Sequence, residues 1–144
     1  MSKVRQVLRS KGNAVWFLPP HASVLDALNL IAEKDIGALL IIEDELVVGI
    51  FSERDYARKV ILRGKASKDT PVQEIMTERV FYVQPNQDVE DCMAVMTEKH
   101  VRHLPVMEDG QLLGVISIGD VVKEIISEQS FVIEQLANYI TGDR

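Results

Sequence analysis

Val24, Ala27, Leu28 and Ile31 fall at i, i+3, i+4 and i+7, the spacing that puts four apolar side chains on one face of a helix. Val89, Cys92, Met93 and Met96 repeat that spacing further on, and Ser23 and Asp88 stand where each helix needs a side-chain acceptor as its N-cap. After the first helix come ALLII (38–42), a charged break at Glu43–Asp44–Glu45, and LVVGIF (46–51); after the second come HLPVM (103–107) and LLGVI (112–116) around Glu108–Asp109–Gly110. Each pair of apolar runs around a polar turn predicts a β-hairpin. A further helix follows each hairpin, with apolar Ala57, Val60 and Ile61 in one matched by Val122, Ile125 and Ile126 in the other. Short strands at VWFL (15–18) and VFYV (80–83) precede the two series. The predicted order is β-α-β-β-α, twice. The connector 63–77 carries Pro71 at the start of a short helix. The tail SEQSFVIEQLANYITG (127–142) reads as a final helix ending at Gly142 and lengthening the preceding helix, and Phe131, Leu136, Tyr139 and Ile140 form an apolar stripe that either folds back on its own module or packs across a dimer, the dimer being favoured.

Sliding the chain by 65 residues aligns 23–61 with 88–126 without a gap, and 11 of those 39 positions are identical. Average composition gives roughly two or three matches by chance. The halves are therefore copies. The fold class expected is α/β, two β-α-β-β-α repeats packed with pseudo-two-fold symmetry, each covering the other's apolar face. The boundaries read along the chain are 1–70 for the first repeat with an N-terminal helix, 71–128 for the second, and 129–144 for the tail.

Composition narrows the function classes. The chain has 144 residues, 47% hydrophobic and 26% charged, with a net charge of −6. An acidic chain is poorly suited to nucleic acid, whose non-specific affinity comes from cationic side chains. No apolar run has the length of a membrane span. MSKVRQVLRSKGNAV has positive charge but no apolar core, so it is not read as a secretory signal. The one cysteine, Cys92, excludes an internal disulfide framework and fits a reducing cytoplasm; on an apolar helix face it reads as a buried small hydrophobe.

The repeated chemistry is G-x-x-S-x-x-D, in GIFSERD (49–55) and GVISIGD (114–120), each where an apolar run gives way to a helix. Ser52-x-x-Asp55 and Ser117-x-x-Asp120 each resemble a capping box, and a repeated fold repeats its caps. The same place also suits a ligand. A helix N-terminus offers free N–H groups and a positive dipole end to a phosphate, and a carboxylate accepts hydrogen bonds from a ribose diol. Both readings stand on these residues alone. The copies differ in charge: Glu53–Arg54 against Ile118–Gly119 within the motif, and Gly37–Ala38 against Arg102–His103 at the start of the middle strand. Residues 54–68 are strongly basic in an acidic protein, which fits a solvated helix face or a field that attracts phosphate.

Two β-α-β-β-α repeats, each with G-h-h-S-x-x-D at the last strand-to-helix junction, together with the lead-ins EIMTERVFYVQP (74–85) and HLPV (103–106), resemble a tandem CBS-domain pair, or Bateman module, over about residues 3–126. The likeness is to a stand-alone, bacterial-type CBS protein. It implies two clefts between paired repeats that bind AMP, ADP, ATP, S-adenosylmethionine or NAD(H), a homodimer, and regulation of an attached or separate protein, here an unknown one. It implies that Asp55 and Asp120 hold a ribose, that Ser52 and Ser117 lie near a phosphate, and that Arg54, Gly119, Arg102 and His103 line the phosphate side. It implies base slots formed by Val15–Phe17 with Ile36, Gly37 and Ala38, and by Thr77, Val80 and Tyr82 with Val101–His103. The aromatic residues Trp16, Phe17, Phe81 and Tyr82 suit the core better than stacking. The departure is Gly12, at the position equivalent to Thr77, so copy one lacks the family's threonine.

His100-x-x-His103 lies at a helix end running into a strand, with no third ligand, so no metal set is expected. No nucleophile has a base beside it. The reading is a non-catalytic, cytoplasmic sensor for an adenine nucleotide or NAD(H). The alternative is an interaction or dimerisation module with no physiological nucleotide.

Overall fold

The structure is a computed structural model that describes residues 2–12 and 14–141. Its elements are α1 (Val4–Lys11), β1 (Phe17–Leu18), α2 (Val24–Lys34), β2 (Ala38–Glu43), β3 (Leu46–Ser52), α3 (Glu53–Asp55), α4 (Val89–Lys99), β4 (His103–Glu108), β5 (Gln111–Ser117) and α5 (Ile118–Thr141). They form two compact units: Val15–Val80, and the N-terminal residues to Ala14 together with those from Phe81 onward.

In the first unit, β1 pairs parallel with β2, and β2 pairs antiparallel with β3. Val24, Ala27 and Ile31 of α2 bury themselves against Leu39, Ile41 and Phe51. Each Val, Leu, Ile or Phe side chain among them contributes about 1.5–3 kcal/mol on removal from water. Ser23 caps α2: its hydroxyl accepts the Asp26 amide at 3.0 Å, and its own amide donates back to Asp26 at 3.3 Å. Residues 71–77 pack here too. Val72 and Ile75 are core residues, the Val72 amide donates to the Ala22 carbonyl, and Thr77 bridges Ile50 on β3. Gly49 has a packing reason, since a Cβ there would overlap the Met76 thioether.

The second unit reproduces the hairpin of the first residue for residue. His103 faces Ser117 across β4–β5 as Ala38 faces Ser52 across β2–β3, and the irregularity in pairing falls at Val106/Met107 as it does at Ile41/Ile42. Asp35 and His100 both close their helices in the left-handed conformation, at φ 52° and 56°. Both hairpin turns take positive φ at two successive residues, Asp44–Glu45 and Asp109–Gly110, as tight two-residue hairpins require.

Several expectations need correction. The lead-in strands are shorter than drawn: β1 is only Phe17–Leu18, and in the second unit a single parallel bridge remains, Val83 with Val106. Pro105 explains the loss. The equivalent Leu40 amide donates to the Trp16 carbonyl at 3.1 Å, and proline has no amide to do so. The N-terminal helix, grouped along the chain with the first repeat, packs in the second unit, where Val4 and Val7 join the core of Val89, Cys92, Met96 and Ile116. Residues 71–80, grouped with the second repeat, lie in the first unit. In the helical segment that ends each repeat, Val60 and Val121 are buried and Ile125 packs against its core, while Ile61, Val122 and Ile126 are exposed. α5 is one continuous helix, so the tail lengthens the second repeat's last helix rather than folding back. Phe131, Leu136, Tyr139 and Ile140 are all exposed on it. The proposed end at Gly142 lies outside the described residues.

Candidate functional site

Both S-x-x-D motifs are built as capping boxes at the N-termini of α3 and α5. The Ser52 amide donates to Asp55 Oδ2 at 3.0 Å, and the Asp55 amide donates to Ser52 Oγ at 3.2 Å. The Ser117 amide donates to Asp120 Oδ2 at 2.8 Å, and the Asp120 amide donates to Ser117 Oγ at 3.1 Å. The first helical amide of each, Glu53 or Ile118, donates to the carbonyl of Gly37 or Arg102. These bonds bring positions 37–38 and 102–103 against the motif of their own repeat. First-turn amides such as that of Gly119 have no partner within the helix.

The surroundings of the two carboxylates differ. Asp55 is 8% exposed. Its Oδ2 also accepts the Ser52 hydroxyl at 3.1 Å, and its Oδ1 takes the Thr77 hydroxyl and the Lys59 ammonium, each at 3.1 Å. Four donors fill the four acceptor positions of a carboxylate. Thr77 thus serves the first motif, a correction to its grouping with Val80 and Tyr82. Beyond Asp55 the backbone widens into a π-helical turn over Tyr56–Ile61, a winding that recurs at functional sites. Lys59 on that turn also donates to the Ile75 carbonyl at 3.1 Å.

Asp120 meets Lys11, the last residue of α1. The ammonium donates to Asp120 Oδ2 at 2.5 Å and to the Val115 carbonyl at 2.7 Å. Oδ1 of Asp120 accepts no hydrogen bond among the described residues, and the side chain is 24% exposed. Burial alone raises the Asp120 pKa, but the hydrogen bonds from Lys11 and Ser117 and the ammonium charge together outweigh it and hold the carboxyl below its usual value. The His103 imidazole is held below its ordinary pKa by burial first, then by Lys11 and Arg102, against the pull of Asp120. The result is one ionised acid paired with Lys11, with neutral His103 close enough to feel both charges and that of Arg102. Lys11 was not singled out in the sequence. The signal lay in its position next to Gly12, where the family pattern lacks its threonine.

The aromatic residues divide by repeat position. Phe17 and its counterpart Tyr82 are exposed, at 54% and 59%, so the expectation that they fill the core fails for both. Trp16, also exposed, carries Lys34 over its ring, and its counterpart Phe81, packed against the core, carries Lys99. Ile36 and Val101 pack against their cores, while Val15, Ala38 and Val80 are half-buried. Arg54 projects from the first turn of α3. His100 ends α4 and His103 opens β4. No group of three metal-ligating side chains occurs among the described residues. Burial, helped by the Asp91 charge, pushes the Cys92 thiol up to about 11, which keeps it protonated. No described helix is long and apolar enough to cross a membrane.

Comparison with known proteins agrees with this duplicated architecture. A family model for the CBS domain matches residues 4–62 and again 72–127. The chain belongs to the CBS domain family. The CBS domain-containing protein CBSX3, mitochondrial, of Arabidopsis thaliana is 36% identical over 148 residues, covering 96% of this chain and 72% of that protein. Among solved structures, a signal-transduction protein with CBS domains from Burkholderia ambifaria MC40-6 is 48% identical, with a TM-score of 0.86 over 89% of this chain and 96% of that one. The CBS domain pair of protein MJ0100, in complex with 5′-methylthioadenosine and S-adenosyl-L-methionine, shares the fold at a TM-score of 0.78 and 20% identity, over 89% of this chain and 98% of that one. This chain is therefore a CBS pair, a type of module that is typically regulatory.

Proposed function

We propose that this CBS pair is a cytoplasmic sensor that binds an adenine nucleotide (AMP, ADP or ATP) or NAD(H) and passes the bound state to a partner protein. The observation that carries the reading is Asp120: an ionised, part-exposed carboxylate with one open oxygen, beside the Lys11 ammonium and at the first turn of a long helix. The open Oδ1 accepts one hydroxyl of a ribose diol, and the second hydroxyl reaches Oδ2, where Lys11 now sits. Ser117, the Gly119 amide and Arg102 take the phosphate side, and His103, Val101 and Tyr82 border the base. An adenosyl ligand is supported by the two compounds bound to MJ0100. In the first unit, Ser52, Arg54, Asp55 and Thr77, with Val15, Phe17, Ile36, Gly37 and Ala38, form the corresponding set; a ribose there must displace Thr77 or Lys59 from Asp55. Bound ligand regulates by favouring one of two states for which its affinity differs.

Thermal unfolding with AMP, ADP, ATP, NAD, NADH and S-adenosylmethionine tests this reading. At a hundredfold excess over Kd, a binder of the folded state adds about 2.7 kcal/mol of stability. The expected result is a raised Tm for at least one of the six, abolished in Asp120→Asn. No shift with any of them overturns the sensor reading. The second reading, an interaction module without nucleotide, draws on the exposed apolar residues of α5 from Phe131 to Ile140. It has a homodimer as its expected form and predicts a sedimentation mass that falls when those residues are made polar.

A further inference from the structure

We propose that Lys11 is the specificity residue of the Asp120 site: it reserves that carboxylate for adenosyl ligands carrying a phosphate and disfavours uncharged ones. The inference rests on the ribose role of Asp120 argued above. Lys11 and Asp120 lie 109 positions apart in sequence, and the ammonium is fixed at two points, Asp120 Oδ2 and the Val115 carbonyl. It is delivered by α1, whose Val4 and Val7 are buried in the core of the same unit. Its side chain is 34% exposed, so the head can leave Asp120 without unpacking the helix. The helix ends at once in Gly12, with φ 92°, a conformation that suits glycine.

The repeat supplies the contrast. Lys11 and Gly12 occupy the positions of Met76 and Thr77. At Asp55 the Thr77 hydroxyl meets the carboxylate beside the Lys59 ammonium; at Asp120 that hydroxyl is missing, and the ammonium of Lys11, the residue before Gly12, is the side-chain donor from that segment. A ribose that takes both oxygens of Asp120 must displace Lys11 from Oδ2. An uncharged nucleoside offers the displaced ammonium nothing, so the lost charge-assisted bond weakens its binding. A nucleotide brings a phosphate, and a flexible lysine with three rotatable donors can exchange the carboxylate for it. The ion pair thus becomes a filter for the ligand's own charge.

Titration calorimetry of AMP and of adenosine into the full chain tests this, with Asp120→Asn used to identify heat from the Asp120 site. In the unsubstituted chain AMP should bind that site at least about tenfold more tightly than adenosine. In Lys11→Met the AMP affinity should fall about tenfold and that for adenosine should rise, bringing the two within about threefold. Lys11→Arg, which keeps the charge, should retain the preference for AMP. Lys11→Met with an unchanged ratio overturns the proposal and leaves the ribose reading standing. A chain that binds neither compound overturns both. A circular dichroism melt of each variant checks its fold, and a loss of preference in Lys11→Arg equal to that in Lys11→Met also counts against the charge filter.

Discussion

Asp55 and Asp120 occupy the same position of a duplicated sequence, in capping boxes of the same geometry, yet one carboxylate is saturated and the other half open. Asp55 is met by a threonine from a neighbouring loop and a lysine one turn along its own helix; Asp120 is met by a lysine from the far end of the chain. Both lysines also bond a backbone carbonyl, yet they come from non-equivalent positions. Duplication conserved the cap, while the residue opposite each carboxylate diverged. The cap and the ligand reading are therefore not rivals. The box orients the acid, and what faces the acid decides whether it is closed off or available.

The largest expected difference is in stability. Asp55→Ala leaves the Thr77 hydroxyl, the Lys59 ammonium and the Ser52 amide without their acceptor in a nearly closed site, and should cost about 3 kcal/mol. Asp120→Ala removes a more exposed cap and should cost about 1 kcal/mol. Urea unfolding of both variants checks this, and equal losses would break the distinction. Next come the hairpin turns. Glu45 sits at φ 67° where the second repeat has Gly110 at φ 77°. Glu45→Gly should gain up to about 1 kcal/mol and Gly110→Glu should lose a similar amount, read from the same unfolding curves.

A smaller effect is the pH response. The folded Asp120 pKa lies below its ordinary value. Its contribution to stability is complete above the ordinary carboxylate pKa near about 4 and is lost as pH falls through the folded value. Asp120→Asn should flatten the Tm profile in that acid window. The smallest signal is at His103, whose folded pKa is lowered. Its neutral form contributes stability that is present above the ordinary histidine pKa, near about 6.5, and lost as pH falls through the folded value. Removing the Lys11 charge in Lys11→Met should move the His103 pKa upward in an NMR titration; a downward shift would place the ammonium elsewhere.

Much of the frame was legible because it is written in short-range rules. Ser23-x-x-Asp26 and Asp88-x-x-Asp91 mark helix starts; the alternation through 38–52 and 103–117 fixes two hairpins whose observed register is the same in both units. Pro105 could have warned that the second lead-in strand would shrink, since the missing amide is visible in the sequence. Which face of α5 turns inward was not legible: Val121 is buried and Val122 is exposed, and a short apolar cluster does not specify that rotation. The exposed aromatic residues were misjudged because size alone predicts burial, whereas Phe17 on β1 and Tyr82 at the equivalent position are both exposed.

By itself the sequence determined the duplication, the element order, the turn positions and the two capped acids, because each depends on backbone hydrogen bonds and periodicities spanning a few residues. Only the tertiary structure decided that α1 packs with the second half of the chain, that Thr77 serves Asp55, and that Lys11 reaches Asp120. Those neighbours are set by how apolar faces close over one another across tens to a hundred residues, and no local pattern encodes which side chain arrives opposite a given carboxylate.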